Sequence, residues 1–183
     1  MSSFLAAPPG TLARAGAAPA PFDACLDYHC DRTRRIDLDA ADWAPVRRLF
    51  EGVTDAPGER EAIAATIARL EDTVGRITGS WRDLAGNRAG IDQPGQLDCI
   101  AESINTTTYL RLLAEDGLLR HHRVEPRAKR TRWLVWNHWT AVVRESASGQ
   151  AYAVDSWYRD NGEPPHVLPI DAWRRGAGLE VAR

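Results

Sequence analysis

Apolar residues recur at three- and four-residue spacing through the first half of the chain and at two-residue spacing through most of the second. From Asp42 onward, Trp43, Val46, Leu49 and Phe50 share one helical face, with Pro45 tolerated in the first turn. A longer helix follows: Thr54 or Asp55 can cap it, Ile63, Ile67, Leu70, Val74 and Ile77 form its stripe, and Gly79 stops it. Residues 79–97 hold Gly79, Gly86, Gly90 and Gly95 with no period and read as a loop. Asp98 then caps a helix whose face is Ala101, Ile104, Thr108 and Leu112, widened by Tyr109 and Leu113 and ended by Gly117. The period switches to two over 120–124, 131–144 and 152–158, with 146–149 as the turn of a β-hairpin. Residues 161–169 are loop or edge strand, because Pro164, Pro165 and Pro169 cannot donate to a ladder, and a short helix near Asp171 closes the chain. Helices first and antiparallel strands last predict an α+β domain.

Composition narrows the class. The 183 residues are 44% apolar and 26% charged, which fits one globular domain able to bury a core without staples. Residues 1–21 stand apart: Ala, Pro and Gly fill 13 of these positions, so the expectation is a disordered arm before a single domain over 22–183. With Arg14 as its only basic residue and Pro8-Pro9-Gly10 breaking its apolar stretch, the arm is no secretory signal, which favours a cytoplasmic protein. No stretch is long enough to span a membrane. A net charge of −2 argues against whole-surface binding of nucleic acid or anionic lipid. The basic run 120–132 lacks interleaved aromatics and reads as a solvated strand and loop that could select an acidic substrate or partner. Three cysteines cannot form a closed disulfide framework. Cys25, His29 and Cys30 lack the spacing and fourth ligand of a zinc site, so no metal and no cofactor is expected.

Cys99 is the cysteine placed for chemistry, because it follows a capping Asp98 at a helix start. The helix dipole favours the thiolate by ~0.3–1 kcal/mol, up to ~2 when partly buried, which lowers a thiol from about 8.5 to about 7 at best. A cationic partner is therefore needed. His138 lies mid-strand, and Asp155 lies in the next strand. Set directly opposite each other, they leave residues 145–148 as an allowed hairpin loop, with Trp136 opposite Trp157. A two-residue slip would make the pair diagonal, and a one-residue slip would part the two groups onto opposite faces. A carboxylate that orients an imidazole beside a thiol is the logic of an activated nucleophile. The Cys99 amide is the natural oxyanion donor, with Gln93 or Gln96 as a second. Trp136, on the His138 face, or Trp139 would shield the site or offer an indole donor.

The run Gly95-Gln96-Leu97-Asp98-Cys99, the later tyrosine and leucines of that helix, His138 and Val154-Asp155 resemble the bacterial transglutaminase-like cysteine proteinases, within the papain-like group, over about residues 80–160. The resemblance implies a helical lobe carrying the Cys helix packed on a C-terminal antiparallel sheet carrying His and Asp. It also implies an acyl-thioester formed from a peptide or protein amide and resolved by water or an amine. Relatives of this kind mostly act outside the cytoplasm, and the acidic pair that in some follows the Cys is replaced here by Ile100-Ala101-Glu102. NlpC-type cell-wall amidases share the Asp-Cys helix start but follow it with Ser-Gly. Arylamine acetyltransferases share a Val-Asp strand and, loosely, Glu102 and Asn105, on much longer chains. The competing class is a non-catalytic protein-binding module on the same fold.

Overall fold

The computed structural model describes residues 17–91, 93–132 and 136–179, and among these the side chains of Arg132 and Trp136 are left out. Most of the predicted arm thus lies outside the described residues. Before any helix comes a hairpin that the sequence pattern did not announce: β1 (Phe22–Cys25) pairs antiparallel with β2 (Thr33–Ile36). Its loop is closed by a Cys25–Cys30 disulfide, so these cysteines are not free thiols, and Cys99 is the free cysteine. His29 and Cys30 inside that loop take positive φ (59° and 62°), a region costly for residues with a Cβ.

α1 (Ala40–Arg48) begins earlier than its apolar face, because Asp39 and Asp42 form a capping box, and it buries Trp43 and Val46. α2 (Ala56–Thr78) is capped by Asp55 and stopped by Gly79 at φ 96°. Ile63, Ile67, Leu70 and Val74 are buried along it, whereas Ile77 is exposed, so the apolar stripe ends a turn before the helix does. α3 (Cys99–Glu115) starts at the cysteine, with the Asp98 carboxylate accepting from the Ala101 amide at 2.9 Å. It is buried around most of its circumference, including Asn105, Thr106 and Thr107. No helix among the described residues is long and apolar enough to cross a membrane.

The second sheet is an antiparallel meander of β3 (His122–Arg132), β4 (Trp136–Glu145), β5 (Ala151–Asp155) and β6 (His166–Pro169), followed by α4 (Ile170–Arg175). Thr131 and Arg132 belong to β3, paired with Asn137 and Trp136, rather than to the strand carrying His138; the basic run is thus a paired strand. Alternation along β4 explains the layering. Ala141 and Val143 join Val154, Tyr109, Leu110 and Leu113 in the core against α3. Val142 joins Ala153, Ile170 and Trp173 against α4. The chain is therefore α+β, with helices on both faces of a four-stranded sheet.

The β4–β5 register differs from the expected one by two residues: Ala141 faces Val154 and Arg144 faces Ala151. The cause is Gly149. It takes φ 73° inside the loop instead of facing Arg144, so Glu145 pairs onward to the Gln150 carbonyl at 2.8 Å and the loop is residues 146–149. An even slip keeps His138 and Asp155 on one face, as a diagonal pair beyond the last rung of the ladder.

Candidate functional site

The loop before α3 is built to hold its first residue still. The Asp83 carboxylate accepts from the Leu97 amide at 2.9 Å, and Gly95, at φ 83°, passes so close to the Gly79 carbonyl that a Cβ there would lie 2.4 Å away. Gln96 stiffens the same loop. Its amide nitrogen donates to the Arg82 carbonyl, and its oxygen accepts from Leu84 (3.3 Å) and Asn87. Gln93 is exposed, with its amide nitrogen toward the Ala89 carbonyl at 3.5 Å. Neither glutamine side chain is bonded toward the cysteine. The Trp136 side chain, the favoured shield, lies outside the described residues.

Cys99 is 9% exposed and packs with Trp157 and Tyr158, flanked by Ile100, Trp139 and Leu179. Burial pushes its thiol up to about 11; the backbone N–H groups of Trp139 and of Cys99 itself pull it down, while the carboxylates of Asp98 and Asp155 push it further up. Cys99, Trp139, Asp155 and Trp157 line one crevice that is too tight for a water molecule. The site is closed.

His138 (2% exposed) donates Nε2–H to Asp155 Oδ2 at 2.7 Å, so the pair expected from the sequence meets despite the shifted register. The same oxygen accepts Trp173 Nε1–H at 2.6 Å from α4. The imidazole is walled by the rings of Trp157, Tyr158 and Trp173, at 5.0, 5.1 and 5.7 Å between centroids. Its Nδ1 is buried with no hydrogen-bond partner among the described residues. No hydrogen bond joins His138 to Cys99 among those residues either; the Trp157 ring contacts both.

Several site residues escaped the sequence reading. Trp173 fixes the Asp155 carboxylate from a helix of six residues, too short for its period to mark the tryptophan as inward-facing. Arg130, directly across β3–β4 from His138, donates to the carbonyls of Trp173 and Ala177 and lies 4.4 Å over the Trp173 ring, clamping the end of α4 above the pair. Tyr158, next to the Trp157 that the sequence had set only opposite Trp136, packs on both Cys99 and the imidazole. Behind Cys99, three carboxyls from three segments converge: Asp83 and Glu102, both buried, and Glu71, half-buried. Burial raises Glu71 to about 8 and Asp83 to about 6, and it raises Glu102 well above the carboxylate range, with the neighbouring acids adding to the effect. They hold protons where surface acids have lost them. Finally, Arg127 Nη1 donates to the Ile100 carbonyl (3.3 Å) and Ser103 Oγ (3.0 Å) in the first turn of α3.

No protein-family model, no curated protein and no solved structure matches the chain.

Proposed function

We propose that the protein is a thiol hydrolase or transamidase acting on amide bonds of peptides or proteins, with a transglutaminase-like, papain-like arrangement of its Cys helix on the sheet. The observation that carries this reading is the His138 imidazole, held by Asp155 through Nε2 while its buried Nδ1 is left without a partner among the described residues. A buried ring nitrogen with an open lone pair costs free energy unless something supplies a proton to it. Cys99, at the start of α3 and packed on the same Trp157 ring as the imidazole, is the thiol assigned here as the proton source. In this scheme Nδ1 takes the thiol proton, and Sγ forms a bond to the amide carbonyl carbon. The oxyanion is met by the Cys99 backbone N–H and the positive end of α3. Collapse breaks the C–N bond as His138 returns the proton to the leaving amine. Water or an amine then attacks the thioester, losing its proton to Nδ1 and restoring the thiol. Asp155, oriented by Trp173, stabilises the intervening imidazolium.

The Cys25–Cys30 disulfide supports an oxidising compartment as the place of action, in preference to the cytoplasm.

One observation favours a second reading, a non-catalytic binding module: the thiol is pushed up to about 11 and has no hydrogen bond to His138. The pH profile of Cys99 alkylation by iodoacetamide separates the two. A thiol paired with His138 reacts faster at pH 6 than glutathione does, and His138→Ala slows it at least tenfold. A single ionisation near pH 11, the same in both proteins, would leave Cys99 a core residue and end the enzyme reading.

A further inference from the structure

We propose that Arg127 and Lys129, set about the Trp139 ring beside Cys99, form a carboxylate-binding subsite that selects acidic amide substrates. The inference rests on the thiol-hydrolase reading and supplies the substrate class it lacks. β3 loses register between Glu125 and Ala128, so Pro126, which has no N–H to donate, and Arg127 leave the ladder. The bulge turns Arg127 toward α3, where its guanidinium meets the Ile100 carbonyl and Ser103 Oγ and lies 5.0 Å from the Trp139 ring centroid. Lys129 faces Trp139 across the strands and brings its Nζ to 5.9 Å from the same ring.

Charge pairing elsewhere in the adjoining groove makes these two stand out. The groove has a volume of about 570 Å³ and also contains Arg144 and Arg174. Arg144 is paired with Glu125 at 3.0 Å, and Arg174 faces Asp171 at 3.6 Å. Arg127 and Lys129 form no ion pair among the described residues, although the chain has 25 acidic residues for 23 basic ones. Arg127 is half-buried, and burial disfavours its charge, with the Cys99 sulfur acting the other way and the nearby Arg111 adding to the cost. An acid within reach would relieve that cost, and none is there among the described residues. A ligand carboxylate would accept two parallel bonds from the guanidinium fork, lie near the Lys129 ammonium and stack its stem on the indole. Because Arg127 is bonded to the first turn of α3, a substrate anchored there lies beside Sγ.

Three capped peptides test this on full-length Cys99→Ala protein by titration calorimetry: acetyl-Glu-Gln-Glu-amide, acetyl-Gln-Gln-Gln with a free C-terminal carboxylate, and the neutral acetyl-Gln-Gln-Gln-amide. At least one carboxylate-bearing peptide is expected to bind tenfold or more tighter than the neutral one, and which of the two does so tells side-chain from chain-terminal recognition. Arg127→Gln with Lys129→Gln should abolish the preference. Lys129→Gln alone, a change confined to the end of one side chain, should reduce it about threefold. Equal binding of all three peptides, no binding by any, or a preference that survives the double substitution overturns the proposal. Failure of the thiol chemistry would show instead in the alkylation profile of unsubstituted Cys99.

Discussion

Two histidine–carboxylate pairs are buried among the described residues, and they differ in what is left over. His122 donates Nδ1–H to Glu59 Oε1 at 2.9 Å, and Glu59, with no exposed surface, also accepts the backbone N–H groups of Arg120, His121 and His122. The second His122 nitrogen faces Arg60 Nη1 at 3.2 Å, and Arg60 reaches Glu145 at 2.9 Å. Every polar side-chain atom of that pair is engaged in joining α2 to the start of β3. At His138–Asp155 the carboxylate is shared with a tryptophan indole, and the ring nitrogen Nδ1 has no partner among the described residues. Saturation is what a structural pair achieves. An open nitrogen walled by three aromatic rings is a cost that the saturated pair does not carry.

The sharpest way to break this comparison is to damage the saturated pair. Glu59→Ala strands three backbone amides and a histidine and should cost about 3–5 kcal/mol in urea unfolding while leaving Cys99 reactivity per folded molecule unchanged. If both pairs are structural, Asp155→Asn should behave the same way. If His138 activates Cys99, the substitution should instead lower Cys99 alkylation at pH 6 by about 10²–10⁴, with an unfolding penalty below about 2 kcal/mol.

A pH series separates both pairs from the acids lying behind Cys99. A carboxyl raised in the fold binds its proton more tightly folded than unfolded. The stability contributed by Asp83 and Glu71 is therefore whole below about pH 4 and drains away as pH rises through about 6 and then about 8. Thermal unfolding should show a loss on the order of 5 kcal/mol between pH 5 and 9, most of it removed by Glu71→Gln. The smallest effect belongs to Trp173→Phe, which keeps an aromatic ring and removes the indole N–H. It should cost about 1 kcal/mol of stability and slow alkylation at pH 6 about tenfold.

The parts legible in the sequence were those governed by local rules. Asp98 as a cap, Gly79 as a stop and Cys99 at a helix start follow from residues within one turn of each other. The even spacing that puts His138 and Asp155 on one face survived a wrong register because the strand period is two. What stayed hidden depends on partners far along the chain. Trp173 and Arg130 reach the pair only after α4 folds back over the sheet. Gln96, chemically suited to an oxyanion, is claimed by the loop that carries it. The raised acids arise from three segments meeting, and no window of sequence contains them together. The Cys25–Cys30 bond was missed for a different reason: an odd cysteine count excludes a framework of paired bridges, but it does not exclude one bridge and one thiol.

That one bridge makes the folded chain a gauge of its surroundings. With Cys25 and Cys30 joined, unfolding in denaturant without reductant exposes a single thiol to a colorimetric thiol reagent, and unfolding after exposure to a reducing milieu exposes three. Closing so short a loop constrains the unfolded chain by only about 2 kcal/mol, so the domain need not collapse when the bond opens. The thiol stoichiometry of protein taken straight from its native setting therefore reports where in the cell it has been.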